Sequence, residues 1–364
     1  MKSLIPLILI LLLTGCNQTV QFQINGTVPT NYHGTIRLSQ YGSSWFDSKW
    51  DTIENGKFYF DGTIRTPEQF ILIYEKDGPK GTFEAFSFFL DPSDNVSIIL
   101  FPDSITKSII KGSKIADEFS QVEKSIETDY EANSSILIAE YQEATKSGNT
   151  TQQTKIKNKI DSISQEITDY KLSYIKGNPD SHVSLYLLNS IYLKTDPEIV
   201  KQYFEILDSD LSNSKYYHRI DSYLSLLPGN PYLDFKLTDG KGRLYSLSEL
   251  AENKVVLLDF WASWCQPCRE QNALLSKLYE RYKSLGFEIV GISLDRDTSV
   301  FFNTIAEDNM NWINLLDRTE GEPVNKTYET GSIPSNILID KDGIIQYRDV
   351  NIDDLELTII ELLK

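Results

Sequence analysis

The sequence predicts a multidomain chain with a β-rich N-terminal domain, an all-α middle region and a C-terminal α/β domain. Three observations carry this. At 364 residues the chain exceeds what one hydrophobic core usually sustains. Short β-rich runs alternate with Asn-Gly and Asp-Gly turn signals up to about Gly112. From Ser113 to about Leu227 there is no Trp, there are two Gly, and apolar side chains repeat at helical spacing. The expected boundaries are a leader at 1–15, a β-rich domain at 16–112, a helical region at 113–228 and the α/β domain at 229–364. A net charge of −17, from 35 Lys and Arg against 52 Asp and Glu, argues against nucleic acid, since neutralising phosphates needs clustered cations.

The N-terminus reads as a secretory signal, with Lys2, an apolar run from Leu4 to Leu13 broken only by Pro6, and then Thr14-Gly15-Cys16. Ten residues rise about 15 Å as a helix against about 30 Å of hydrocarbon, too little for a permanent span. The tetrad Leu13-Thr14-Gly15-Cys16 resembles the lipobox of bacterial lipoproteins, which implies that Cys16 is acylated and anchors the chain to a membrane by lipid. In that family Asn17 favours the outer membrane over the inner, with the chain facing the periplasm. An ordinary cleaved signal with an incidental Cys is the alternative, but no Ala-x-Ala site lies nearby to support it.

Strands are expected at Gln21 to Ile24, Thr35 to Leu38, Lys57 to Phe60, Phe70 to Tyr74, Ala85 to Leu90 and Val96 to Leu100. Breaks fall at Asn25-Gly26, Asn55-Gly56, Asp61-Gly62, Asp77-Gly78 and Asp91-Pro92, the close spacing of a sandwich or barrel. Trp45, Phe46, Trp50, Phe83, Phe86 and Phe88 are read as core, because strand aromatics more often fill a core than line a ligand site. Next, Ile115, Phe119, Val122, Ile126 and Tyr130 form one stripe, and Ile156, Ile160, Ile163, Ile167, Tyr170 and Tyr174 another. Ser147-Gly148-Asn149-Thr150 turns between them, so two antiparallel helices are expected. Shorter helices follow at Ser181 to Leu193, Pro197 to Leu207, capped by Asp196, and Tyr216 to Leu226. His33, His182 and His218 pair with no second ligand at metal spacing, so no metal or other cofactor is expected.

In the last domain a strand at Leu233 to Leu237 precedes Ser246-Leu247-Ser248-Glu249, a capping box opening a short helix. Lys254 to Phe260 is an almost continuous apolar strand, as a sheet covered on both faces requires. A helix then runs to Gly286, followed by a strand at Phe287 to Ser293, a helix at Thr298 to Asp308, strands at Trp312 to Leu316, Asn336 to Asp340 and Ile344 to Tyr347, and a final helix from about Asp353.

With Cys16 lipidated, Cys265 and Cys268 are the remaining cysteines, and one close pair is a poor staple for a secreted chain. Cys265 sits where a strand hands over to a helix, so free N–H groups and the helix dipole favour its thiolate and make it the nucleophile. Cys268, one turn later, can attack the mixed disulfide. Pro267 suits the first turn, and Trp264 flanks the pair. Half a zinc site is the alternative, but it would want two further ligands and the mature chain offers no third free thiol. Asp259, near the end of the apolar strand, is expected to be buried with a raised pKa and to exchange a proton with Cys268; the alternative is that it faces out.

The run Leu258-Asp259-Phe260-Trp261-Ala262-Ser263-Trp264-Cys265-Gln266-Pro267-Cys268-Arg269 resembles the thioredoxin superfamily, and within it the TlpA/ResA-like envelope thiol-disulfide oxidoreductases. The resemblance covers roughly 229–364. It implies that Gly331 to Asp340 holds a cis-proline, Pro334, facing the Cys pair, with the backbone beside it pairing with substrate chain. Three departures stand out: Asp259 where many members of the branch have Asn, Gln271 where many have Glu, and Ala273 in place of a kinking proline, which predicts a straighter helix.

Together these readings imply a lipid-anchored oxidoreductase that takes electrons from a membrane donor and reduces disulfides of envelope proteins through Cys265 and Cys268. Alternatives are a non-catalytic binding or scaffolding lipoprotein that uses its β-rich domain, with the thioredoxin fold as a docking platform, and a peroxiredoxin, which would rely on a lone peroxidatic Cys.

Overall fold

The computed structural model describes residues 21–41, 47–75, 85–131, 134–318 and 323–364. The leader, Cys16, Asn17, Trp45, Phe46, Phe83 and the Asp77-Gly78 turn lie outside them. The chain divides into two compact units, one ending at Asp169 and one spanning Tyr170–Lys364. That division falls within a long helix, whereas the boundaries expected at 112/113 and 228/229 follow changes of secondary structure.

The first unit contains β1 (Gln21–Thr27), β2 (Thr35–Gln40), β3 (Lys49–Thr52), β4 (Lys57–Thr63), β5 (Glu68–Glu75), β6 (Ala85–Leu90), β7 (Asn95–Ile99) and β8 (Ile109–Lys111). Two four-stranded sheets, ordered β4-β1-β7-β8 and β3-β2-β5-β6, pack through one core, with the Phe22 and Phe70 rings 5.1 Å apart. The β-rich sandwich is therefore as expected, with two further short strands at its edges.

Two expected turns are strand interior. Gly26 pairs across the sheet with Phe58, and Gly62 with Phe22. A Cβ on Gly26 would stand 1.9 Å from the Phe58 ring, and one on Gly62 2.6 Å from the Phe22 ring. These glycines make room for aromatic rings. Asn55-Gly56 does turn, with φ of +52° and +72°. Phe86 and Phe88 are buried as expected, but Trp50 is 49% exposed. It lies on edge strand β3 with the Arg37 guanidinium over its ring at 5.1 Å, so one face is spent on a cation and the other meets solvent.

Helix α1 (Lys114–Ile126) carries the first stripe and continues as a π-helical turn at Glu127–Glu131. It does not form the antiparallel partner expected of it; its Phe119 meets Phe89 of β6 at 5.0 Å. The partner of α3 (Thr150–Gly177) is α2 (Ser134–Lys146), through Leu137, Ala144 and Ile156. The turn at Gly148 is where the sequence puts it.

The second unit begins with the C-terminal turns of α3 and then α4 (His182–Ile191), α5 (Pro197–Glu205) and α6 (Lys215–Ser225). The Asp196 side chain accepts from the Glu198 N–H, capping α5. Beyond them lie β9 (Lys236–Thr238), β10 (Leu244–Ser246), α7 (Leu247–Ala251), β11 (Val255–Trp261), α8 (Gln266–Tyr282), β12 (Phe287–Ser293), α9 (Thr298–Glu307), β13 (Ile313–Leu316), α10 (Val324–Thr327), β14 (Ser335–Ile339), β15 (Ile345–Arg348) and α11 (Leu355–Leu363). The Ser246/Glu249 capping box is present, and Gly286 ends the turn after α8 at φ +96°. Seven strands form one sheet, ordered β10-β9-β13-β12-β11-β14-β15, with β11, β12 and β13 parallel. β11 is buried throughout. Val255, Leu257 and Trp261 face the cluster holding Leu275 and Leu278 of α8, while Val256, Leu258 and Phe260 face the opposite one.

Candidate active site

The site is assembled where β11 ends and α8 begins. Cys265 is the N-cap residue of α8, and its Sγ accepts a hydrogen bond from the Cys268 N–H at 3.3 Å. The two sulfurs form a disulfide, with the Cα atoms 5.3 Å apart. Cys265 is 5% and Cys268 2% exposed, and both belong to the apolar cluster on one face of β11. Trp264, immediately before them, is 69% exposed. A sulfur at this cap accepts from a first-turn N–H at the positive end of the helix dipole, an environment suited to a thiolate once the bond is reduced.

Strand alternation puts Asp259 on the face of Leu257 and Trp261, the one that carries both cysteines. It is 5% exposed rather than turned out to solvent. Burial alone pushes its carboxyl from 3.8 to about 7. Its partners in register are Gly291 on β12 and Asn336 on β14, neither able to carry a charge that would oppose that shift.

Ile333–Pro334 is a cis peptide bond. Ser335 pairs with Phe260, which sets Pro334 beside the end of β11, and Ile333 packs against the cluster containing Cys265 and Cys268. Cys265, Cys268, Asp259, Trp264 and Pro334 therefore converge on one end of the sheet. Cys16 lies outside the described residues. α8 runs unbroken past Ala273.

Sequence reasoning missed the groups that hold the junction. Asp295, 4% exposed, accepts from Ser263 N–H at 3.0 Å, Ser263 Oγ at 2.7 Å and Ser293 Oγ at 2.8 Å. Leu294 N–H also donates to Trp261 O at 3.0 Å, so the segment leading into Trp264 and Cys265 is tied to the end of β12. A Ser-x-Asp at the end of a buried strand was the available signal. Arg269, next to Cys268, binds Asp308 at 2.7 Å and Glu307 at 2.9 Å, holding the Asp308 carboxyl below its usual range. Buried Asn272 donates to the same Asp308 at 2.9 Å. These contacts fix α8 against the end of α9. Among the described residues, no group of three or more His, Cys, Asp or Glu could hold a metal ion, and no helix is long and apolar enough to cross a membrane.

A Cys-x-x-Cys at the start of the helix that follows the central strand, with a cis-proline just before the neighbouring antiparallel strand, defines a thioredoxin-like domain. Residues 228–348 match the AhpC/TSA family, and residues 22–119 match a domain of unknown function, DUF4369. The chain is 33% identical over 110 residues to the thiol-disulfide oxidoreductase ResA of Bacillus anthracis, which is 30% of this chain and 62% of that protein. It is 29% identical over 119 residues to ResA of Bacillus subtilis (strain 168), 33% of this chain and 65% of that one. The thioredoxin domain of a thiol-disulfide oxidoreductase from Bacteroides vulgatus aligns at 32% identity over 38% of this chain and 100% of that one, with a TM-score of 0.36. The C-terminal domain is thus a thioredoxin-like domain homologous to the ResA thiol-disulfide oxidoreductases, joined to an N-terminal DUF4369 domain. The match spans less than two thirds of the length of those curated relatives.

Proposed function

We propose that the chain is a lipid-anchored thiol-disulfide oxidoreductase of the cell envelope that reduces disulfides of envelope proteins through Cys265 and Cys268. The observation that carries this is the Cys pair capping α8 on the same sheet face as a buried carboxyl that titrates near neutrality. In the reduced protein the Cys265 thiolate attacks one sulfur of a substrate disulfide. A mixed disulfide forms, and the first substrate sulfur leaves as a thiolate. Asp259 takes the Cys268 proton, and the Cys268 thiolate attacks Cys265 Sγ, which releases the second substrate sulfur and closes the Cys265–Cys268 disulfide. Two electrons pass to the substrate, and a membrane dithiol donor restores them. Exposed Trp264 and the backbone beside Pro334 receive the substrate chain. Cys16, acylated, holds the protein at the outer membrane, facing the periplasm.

The test is a trap. Cys268→Ser expressed in its own envelope is expected to accumulate thiol-sensitive high-mass species on a non-reducing gel, and Cys265→Ser few or none. Equal trapping by both variants, or none by either in folded and abundant protein, defeats the assignment in favour of a docking protein.

A further inference from the structure

Glu329 lies five residues before Pro334 and is 6% exposed, yet its backbone is left-handed at φ +45°. Its carboxylate accepts from the Tyr192 hydroxyl at 2.5 Å, just after α4, and from Arg219 Nε of α6 at 3.2 Å. Burial keeps Tyr192 protonated and therefore a donor. Behind this pair, Arg348 of β15 donates to Leu226 O at 3.1 Å and to Tyr328 O at 2.7 Å. Its guanidinium lies over the Tyr223 ring at 5.8 Å, and that ring meets Tyr192 edge-on at 5.1 Å. Further along, a Cβ placed on Gly331 would stand 3.3 Å from Leu193 Cδ1. The helices before the thioredoxin-like domain thus touch the segment leading to Pro334 at two successive points. A non-glycine residue in this backbone region, carrying a buried carboxylate, persists only where its surroundings over-determine it.

We propose that Glu329, held by Tyr192 and Arg219, is a positioning residue that sets the Gly331–Pro334 loop for a polypeptide substrate. Residues 170–228 are then part of substrate recognition and not a spacer. This rests on the reading in which that loop receives substrate, so one arm of the test needs no turnover. In full-length oxidised protein, Tyr192→Phe and Arg219→Met are each expected to speed amide exchange at Gly331, Ser332, Ile333 and Ser335 by about tenfold, the loss of one hydrogen bond to a charged group. Both should leave α8 amides near the parent's and lower the melting temperature by only a few degrees, the share of one lost hydrogen bond. Glu329→Gln, which keeps an oxygen for Tyr192, should retain most of the protection.

In turnover, both variants should raise KM for insulin several-fold, with kcat and the iodoacetamide rate of reduced Cys265 within about twofold of parent. Unchanged exchange in both folded variants overturns the proposal. So does an equal loss in kcat, Cys265 alkylation and melting temperature, which is the mark of general destabilisation. A parent protein that cannot reduce insulin counts against the oxidoreductase reading, while the exchange arm still decides the positioning role.

Discussion

Asp259 illustrates how one residue couples stability to chemistry. An acid whose pKa rises on folding holds its proton more tightly in the folded state. Its full contribution to stability is present below the unfolded value near 4 and is lost as pH climbs through the folded value of about 7. Asp259→Asn is therefore expected to stabilise the protein at pH 8 by up to about 4 kcal/mol, the free-energy equivalent of that shift, and to change nothing at pH 3.5. Urea melts at the two pH values measure this. The same variant should slow release of the mixed disulfide at neutral pH while Cys265 alkylation stays fast. Equal release rates for parent and variant from pH 6 to 8 would remove Asp259 from the mechanism. Strand periodicity and the apolar run around Asp259 made burial the leading reading of the sequence. Glu329 was not legible, because its partners stand 110 and 137 residues away and no local pattern links them.

At the scale of elements, the junction between β11 and α8 depends on Asp295. Asp295→Ala would remove the acceptor of the half-buried Ser263 N–H and of the buried Ser293 hydroxyl, at a cost of about 2–4 kcal/mol for hydrogen bonds to a charged group. Since this segment carries Trp264 and Cys265, the expected outcome is a lower melting temperature together with a slower Cys265 reaction with iodoacetamide. A variant that melts earlier but reacts at the parent rate would show that Asp295 supports the sheet and not the site. Helix caps were readable one by one: Asp196, Ser246 with Glu249, and Gly286 each act where their local chemistry says. The pairing of helices was not. The stripe on α1 is satisfied as well by the sandwich as by another helix, since an apolar face carries no address.

At the scale of the whole molecule, the proposed lipid anchor at Cys16 is open to a direct test. The parent is expected to label with palmitate and partition into detergent, whereas Cys16→Ala should stay soluble or unprocessed. A parent that remains in the aqueous fraction without label would refute the anchor. The order of three regions, the Cys pair, and its strand and helix were legible in the sequence alone, because each follows from periodicity, capping or spacing, whereas burial of Asp259 was one of two readings between which the tertiary structure decided. The tertiary structure alone decided that Gly26 and Gly62 lie under aromatic rings, that Trp50 is turned to solvent and that Asp295 ties down the redox loop. It also decided that the helices after Tyr170 share a buried polar cluster with the segment before Pro334. These contacts join residues far apart in the chain, and the free energy that selects them comes from close packing and desolvation, which exist only once the surfaces meet.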